Sequence, residues 1–313
     1  MVKVSVNIVT FNSAADIAAC LTSLQSQTFK DFEIRVLDNA SADASVESVR
    51  RFNVEIIASS VNTGFSKGHN TLIRNSRSDY ILVLNPDTVL RPDFIREMVA
   101  ALEARSDAGS ASGKLLRMDK TTIDSTGIVM LRNQRHLDRG AGDPDIGQFD
   151  RPEDIFGPSG AAAMYRRAAL ESCAVNGEYF DEDFFAYRED ADLAWRMQLF
   201  GWTSIYVPSA VAQHRRVVTP ERRGQLSPII NYHSVKNRFL LRINNMSGAM
   251  YRRSLWPVTL RDCMVVGYVL VREWSSIPAL LYVIRHFPRL WRKRRLIQSR
   301  VRVPISAVER WFT

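Results

Sequence analysis

Through about the first hundred residues, apolar runs of strand length alternate with stretches of helical period, and this alternation limits the fold most. Residues 4–9 are rich in β-branched side chains. Ser13, with Asp16 three positions on, makes a helix start like a capping box. Ile17, Cys20, Leu21 and Leu24 follow at i, i+3, i+4 and i+7, one face of a helix. Residues 32–37 read as a second strand ending at Asp38, and residues 54–58 as a third. A glycine-containing loop, residues 62–70, leads into another helix. Tyr80–Leu84 is apolar throughout, as in a strand covered on both faces. Pro92 suits the first turn of a helix that places Ile95, Met98, Val99 and Leu102 on one side.

Strands that alternate with helices predict an α/β fold with a mostly parallel central sheet and right-handed crossovers. Ligands of such sheets bind beyond the carboxyl ends of the strands. That rule selects the segments after Val9, Leu37, Ala58 and Leu84, and polar residues collect in each: 10–12, 38–41, 62–70 and 85–88. From 114 to 158, frequent Gly, Asp and Pro predict loops and short strands, with no function legible in them. Order returns at 159–170 and is dense at 180–200.

Past about residue 225 the character changes. Residues 226–313 hold 16 Lys and Arg against 3 Asp and Glu, a net of +13, whereas residues 1–225 hold 26 against 30. Trp256, Tyr268, Trp274, Tyr282 and Trp291 lie among the basic residues, and 291–295 is the densest run. Two regions are therefore expected: 1–225 and a helical basic region, 226–313. Such a region suits a polyanionic partner, either nucleic acid or an anionic membrane surface; a solvated basic helix pair is the plain alternative. The first residues show no charged segment followed by an apolar one. No uncharged apolar run approaches the ~20 residues that a bilayer span needs. Cys20, Cys173 and Cys263 are far apart without C-x-x-C spacing, against a disulfide framework or a zinc site.

Asp38 ends one buried strand and Asp87 follows another, so both face one crevice. Asp87 can hold a divalent ion that neutralises a diphosphate, or it can cap a turn. Glu189, Asp190 and Asp192 fall in the first turn of a helix that Gly201 closes. Acidic first turns are favoured by the helix dipole alone, and Asp192 with Arg196 has the spacing of a structural ion pair. His214 follows a β-rich stretch and is a candidate metal ligand. Gly64, Lys67 and Gly68 lie in a loop that matches neither the P-loop nor the dinucleotide fingerprint.

In order and wording these segments resemble the family 2 glycosyltransferases, particularly the rhamnosyltransferase-like branch. The matching stretches are 6–12, 20–28, 36–43, 62–70, 84–88, 159–162 and 180–193, and the resemblance covers about residues 3–240. It implies a GT-A type fold over residues 1–225, with a nucleotide-sugar half at about 1–110 and an acceptor half at 111–225. Thr10, Phe11 and Asn12 would line the nucleotide pocket, and Asp38 would bond the pyrimidine. Asn62, Gly64, Lys67 and Asn70 would meet ribose, diphosphate or donor sugar, with Asn85 and Gly160 nearby. Asp87 matches the last acid of the family's D-x-D, His214 a downstream histidine of the metal site, and Asp190 the catalytic base. Asn85 stands where the family's first acid would be, which removes one charge from the site for Mg2+ or Mn2+.

The resemblance further implies a single in-line displacement with inversion, in which Asp190 takes the acceptor's proton. The donor expected is dTDP-rhamnose, or else a UDP-linked hexose or N-acetylhexosamine. The acceptor expected is a glycan or a polyprenyl-diphosphate-linked glycan of cell-surface polysaccharide, met on the inner face of the cytoplasmic membrane. A nucleic-acid partner leaves the acidic cluster at 189–192 unexplained, and a non-catalytic scaffold leaves Asp38, Asp87, Asp190 and His214 unexplained.

Overall fold

The computed structural model describes residues 2–216 and 227–313. The boundary expected at 225–226 lies outside the described residues. Strand β1 (Val4–Thr10) is followed by α1 (Ile17–Gln25), β2 (Phe32–Asp38), α2 (Ser45–Arg50), β3 (Glu55–Ala58) and α3 (Gly64–Arg74). Next come β4 (Tyr80–Leu84), β5 (Thr88–Leu90), α4 (Phe94–Ala104) and β6 (Ala108–Leu116). Three short strands, β7 (Ile123–Ser125), β8 (Ile128–Met130) and β9 (His136–Asp138), precede β10 (Glu153–Ile155) and β11 (Ala162–Arg166). The sheet region closes with α5 (Arg167–Cys173), α6 (Glu189–Leu199) and β12 (Thr203–His214).

The main sheet runs β10-β12-β6-β11-β4-β1-β2-β3, with β5 paired to β12 and β7 to β6. Pairings among β4, β1, β2 and β3 are parallel, as is β6 with β12; β11 enters antiparallel between β4 and β6. The parallel register aligns Thr10 with Asp38 and Ile8 with Leu84. All four strand ends named from the sequence therefore open on one crevice, as parallel crossovers require.

Local details differ from the sequence reading. Helix α1 begins at Ile17 without a capping box: the Ser13 hydroxyl donates to the Phe11 carbonyl (3.2 Å), and the Ser13 carbonyl takes the N–H groups of Asp16 and Ile17 (both 3.0 Å). Residues 64–70 are already helix. Gly64 has φ +83°, open to glycine at little cost, and a Cβ at Gly68 would come within 2.8 Å of Val9. These glycines thus serve a turn and the close approach of α3 to β1.

Beyond residue 227 the described chain is helical: α7 (Pro228–Asn245), α8 (Gly248–Arg253), α9 (Leu255–Val271), α10 (Ile277–Gln298) and α11 (Ile305–Glu309). Ile73, Phe156, Phe180 and Trp195 of the sheet region share one apolar cluster with Leu240, Leu290 and Phe312. The Phe312 ring lies 4.9 Å from that of Trp195 and 6.0 Å from that of Phe156. Beside it, Asp192 and Arg196 form the expected pair with every atom buried: Nε to Oδ2 at 3.0 Å. Asn244 and Asn245 of α7 donate to the other Asp192 oxygen (3.1 and 2.7 Å), while Arg196 donates to the carbonyls of Cys173 and Tyr179.

The dense basic run divides by helical face. Lys293 is buried and held by Asp181 (2.6 Å) and Asp183 (2.9 Å); Arg289 also pairs with Asp183 (2.6 Å). Arg294 donates to the Ile243 carbonyl (2.8 Å). Arg292 and Arg295 stay exposed.

Candidate active site

Thr10 is buried at the end of β1, and its hydroxyl has no hydrogen-bond partner; the same is true of one Asp38 oxygen. Buried polar atoms are normally paired, so two orphans on register-matched strand ends mark a place for a polar ligand. The other Asp38 oxygen accepts the Ser41 N–H (3.0 Å) and fixes the carboxylate. Asn39 braces the far wall, donating to the Gly64 carbonyl (3.1 Å) and accepting the Thr63 N–H (2.8 Å).

Asn12, at φ +51°, accepts the Ala42 N–H (2.8 Å) and ties the first loop to the second. Phe11 is 48% exposed at the rim, and Lys67 is exposed on α3. Asn62 accepts the Gly64 N–H (2.9 Å) and shapes the turn. Asn70 leaves the set of ligand contacts. It is fully buried, and its amide is spent on Phe180, donating to the carbonyl (2.8 Å) and accepting from the N–H (2.9 Å). Its task is to bind α3 to the segment before α6.

Across the crevice, β5 and β12 pair antiparallel with Thr88 opposite His214, which brings Asp87 beside the imidazole. His214 Nε2 lies 3.4 Å from Asp87 Oδ1, a buried oxygen with no well-formed hydrogen bond. His214 Nδ1 lies 2.7 Å from Oδ2 of Asp124, a fully buried residue of β7. Arg216 completes the chain, reaching Asp124 Oδ1 (2.6 Å) and Asp138 (2.7 Å). Burial disfavours a charged His214, but the carboxylates of Asp124 and Asp87 prevail and push it up to about 9.

One carboxylate and one imidazole suit Mg2+ or Mn2+ that keeps diphosphate and water oxygens as its remaining ligands. Asp87 Oδ1 and His214 Nε2 would supply the protein's two donors, the imidazole giving up its Nε2 proton as the ion binds. Among the described residues no group of three His, Cys, Asp or Glu side chains is placed to hold a metal ion by itself, so an ion here would depend on the donor's diphosphate.

Asp190 lies in the first turn of α6, beside Gly160 just ahead of β11. Its Oδ2 accepts the Gly160 N–H (3.0 Å) and its Oδ1 the Ala191 N–H (2.7 Å). Burial raises its pKa, and these N–H groups work against the rise. Glu189 is raised well above the usual range by burial and by Asp190 beside it. The chain enters α6 through Phe185, Tyr187 and Arg188, all at positive φ (67°, 71° and 75°). Non-glycine residues in this region store strain, a feature concentrated at functional sites.

Asn237 of α7 holds the strained run, its amide facing the carbonyls of Phe184 (2.9 Å), Ala186 (2.8 Å) and Tyr187 (2.7 Å). His233 stacks on Phe185 at 4.7 Å, and Phe185 in turn covers Gly64, whose added Cβ would meet it at 2.6 Å. Sequence reasoning missed Asp124 and Asn237. Asp124 stands in a short strand of a Gly- and Asp-rich region that mimics a loop, and Asn237 lies in a helix read only for its charge.

Comparison with known proteins agrees with this geometry. The description Glycosyl transferase family 2 fits residues 5–173. The N-acetylglucosaminyl-diphospho-decaprenol L-rhamnosyltransferase of Mycobacterium tuberculosis is 28% identical over 85% of this chain and 92% of its own length. The poly-beta-1,6-N-acetyl-D-glucosamine synthase of Staphylococcus epidermidis is 22% identical over 88% of this chain and 61% of its own. Among solved structures, S. aureus TarS superposes with a TM-score of 0.60 at 17% identity, covering 96% of this chain and 50% of that one. GalNAc-T7, crystallised with UDP, GalNAc and Mn2+, superposes with a TM-score of 0.60 at 12% identity, covering 78% and 49%. These structural likenesses show the shared GT-A fold, and the sequence match over residues 5–173 shows that the chain belongs to the family 2 glycosyltransferases.

Proposed function

We propose that this chain is an inverting glycosyltransferase that moves L-rhamnose from dTDP-rhamnose to a hydroxyl of a polyprenyl-diphosphate-linked glycan. The carrying observation is Asp190, whose two oxygens are fixed by the N–H groups of Gly160 and Ala191 between the crevice and the strained run. A carboxylate so held is aimed before the acceptor arrives. Burial makes it a stronger base than an exposed aspartate. It takes the acceptor proton as the hydroxyl oxygen attacks the anomeric carbon, and the nucleoside diphosphate departs on the opposite side of the sugar.

Asp38 and Thr10 supply unpaired polar atoms for the nucleoside base. Asp87 and His214 would hold Mg2+ or Mn2+, which when bound neutralises the leaving diphosphate. The M. tuberculosis relative's name, with its rhamnosyl donor and decaprenol-linked acceptor, supports this choice of substrates and a site of action at an anionic membrane surface. A UDP-N-acetylhexosamine donor is the second reading, supported by TarS crystallised with UDP-GlcNAc.

Thermal protection by dTDP-rhamnose, UDP-glucose, UDP-galactose, UDP-N-acetylglucosamine and GDP-mannose, with and without Mn2+, tests the donor. A ligand at a hundred times its Kd adds about 2.7 kcal/mol of stability. Protection confined to dTDP-rhamnose supports the first reading, and protection by UDP-N-acetylglucosamine alone replaces it with the second. No protection by any donor overturns both.

A further inference from the structure

Helix α9 is apolar on nearly every side, yet only Val258 and Val269 are buried. Trp256, Leu260, Met264 and Val271 recur at helical spacing on its outward face. After α9 the chain turns by 114° into the segment Trp274–Gln298. At and beyond the elbow Leu270, Val271, Trp274, Leu281, Ile284 and Phe287 are again exposed; Val271 and Trp274 are each 69% exposed, Ile284 71% and Trp256 81%. Monomers of this size rarely show water so continuous an apolar face.

The charges around this face identify its occupant. Lys293, Arg289, Arg238 and Arg242 are spent on internal acids. Arg252, Arg285, Arg292 and Arg295 are exposed and make no ion pair among the described residues. Residues 281, 284, 285, 288, 291, 292 and 295 share one side of α10 by helical spacing, so Leu, Ile and Trp stand beside arginine there. A protein partner would meet this mixture with matching acids. A lipid leaflet meets it in one step, since apolar side chains enter the acyl boundary while arginine stems reach back to anionic headgroups. Tryptophan favours that boundary. Helix α9 has 17 residues and carries Arg261 and Asp262 in its middle, and among the described residues no single helix is long and apolar enough to span a bilayer.

We propose that the α9–α10 elbow inserts into one leaflet of an anionic bilayer, with Val271 and Trp274 at its tip and Arg252, Arg285, Arg292 and Arg295 at headgroup level. This rests on the membrane-linked acceptor above, and it names the part of the chain that makes contact. Docking by the elbow puts α7, which holds the strained run beside Asp190, directly behind the membrane contact.

The test uses the full chain with vesicles of equal phosphatidylglycerol and phosphatidylcholine, and with phosphatidylcholine alone. The chain is expected to sediment with the anionic vesicles, and raised salt is expected to weaken binding without abolishing it. Val271→Glu combined with Trp274→Glu is expected to sediment several-fold less, with the melting midpoint and donor protection of the parent. Arg285→Glu combined with Arg292→Glu is expected to lose the preference for phosphatidylglycerol. Equal sedimentation of the tip variant and the parent overturns the proposal. So does a parent that stays in the supernatant, or that hides this face in a dimer which the tip variant dissociates. Donor protection, measured without vesicles in the same samples, reports separately on the transferase reading.

Discussion

Asp124 Oδ2 lies 2.7 Å from His214 Nδ1, and the other oxygen of the same buried carboxylate is held by Arg216 at 2.6 Å. The imidazole is thereby turned so that Nε2 faces Asp87. Carboxylates behind ligating histidines typically contribute ten- to a hundredfold in metal affinity.

Asp124→Asn is therefore expected to weaken Mn2+ binding by about ten- to a hundredfold in the presence of nucleoside diphosphate, as read by electron paramagnetic resonance. The overall fold should persist, because Arg216 keeps Asp138. Unchanged Mn2+ affinity would remove Asp124 from any positioning role.

For the base, Asp190→Asn should lower kcat by roughly a hundred- to ten-thousandfold while donor protection stays near that of the parent. An asparagine oxygen can still accept the Gly160 N–H, so folding is spared. In the parent, kcat/KM should rise with pH until Asp190 is ionised and then level off. Because its pKa is raised, that rise should lie above the range of an exposed aspartate. High residual activity in the variant would require a different base.

Gly64→Ala tests the contact between the donor loop and the strained run. The residue sits at φ +83°, and an added Cβ would meet Phe185 at 2.6 Å. A strained conformation of this kind costs about 1–3 kcal/mol. A lower melting midpoint together with weaker donor protection is expected. A midpoint equal to the parent's would show that the contact gives way freely.

Arg196→Met leaves Asp192 buried without its cation. Removing one partner of a buried pair typically costs about 3–5 kcal/mol. Urea titration should show that loss, with no selective effect on donor affinity in whatever fraction remains folded. A loss under about 1 kcal/mol would mean that Asn244 and Asn245 suffice to hold the carboxylate.

Much of this was legible in the sequence, and for local reasons. Tyr80–Leu84 and its neighbours carry their burial in their composition, so the parallel half of the sheet follows from periodicity. Asp38, Asp87 and Asp190 sit beside turn and helix signals that fix where they point. Asp124 was illegible because its value comes from β7 pairing with β6 and from His214 ninety residues away. Lys293 was misleading for a related reason: the chain lists charges in order, while helix α10 sorts them by face, and its inward side meets Asp181 and Asp183. Asn70 looked like a ligand residue and proved to be a brace, because Phe180 offers both a donor and an acceptor to its amide.

The seating of Phe312 against Trp195 and Phe156 has a consequence for the order of events at the ribosome. Residues 189–199 emerge well before the aromatic wedge beneath them, which arrives with residues 311–313; these also bond Met130 and Arg132 through the Thr313 backbone. Domains that are complete early can fold while translation continues. Here the helix bearing Asp190 has no finished floor until residues 311–313 have joined it, so a nascent chain should stay inactive and open to proteases until then.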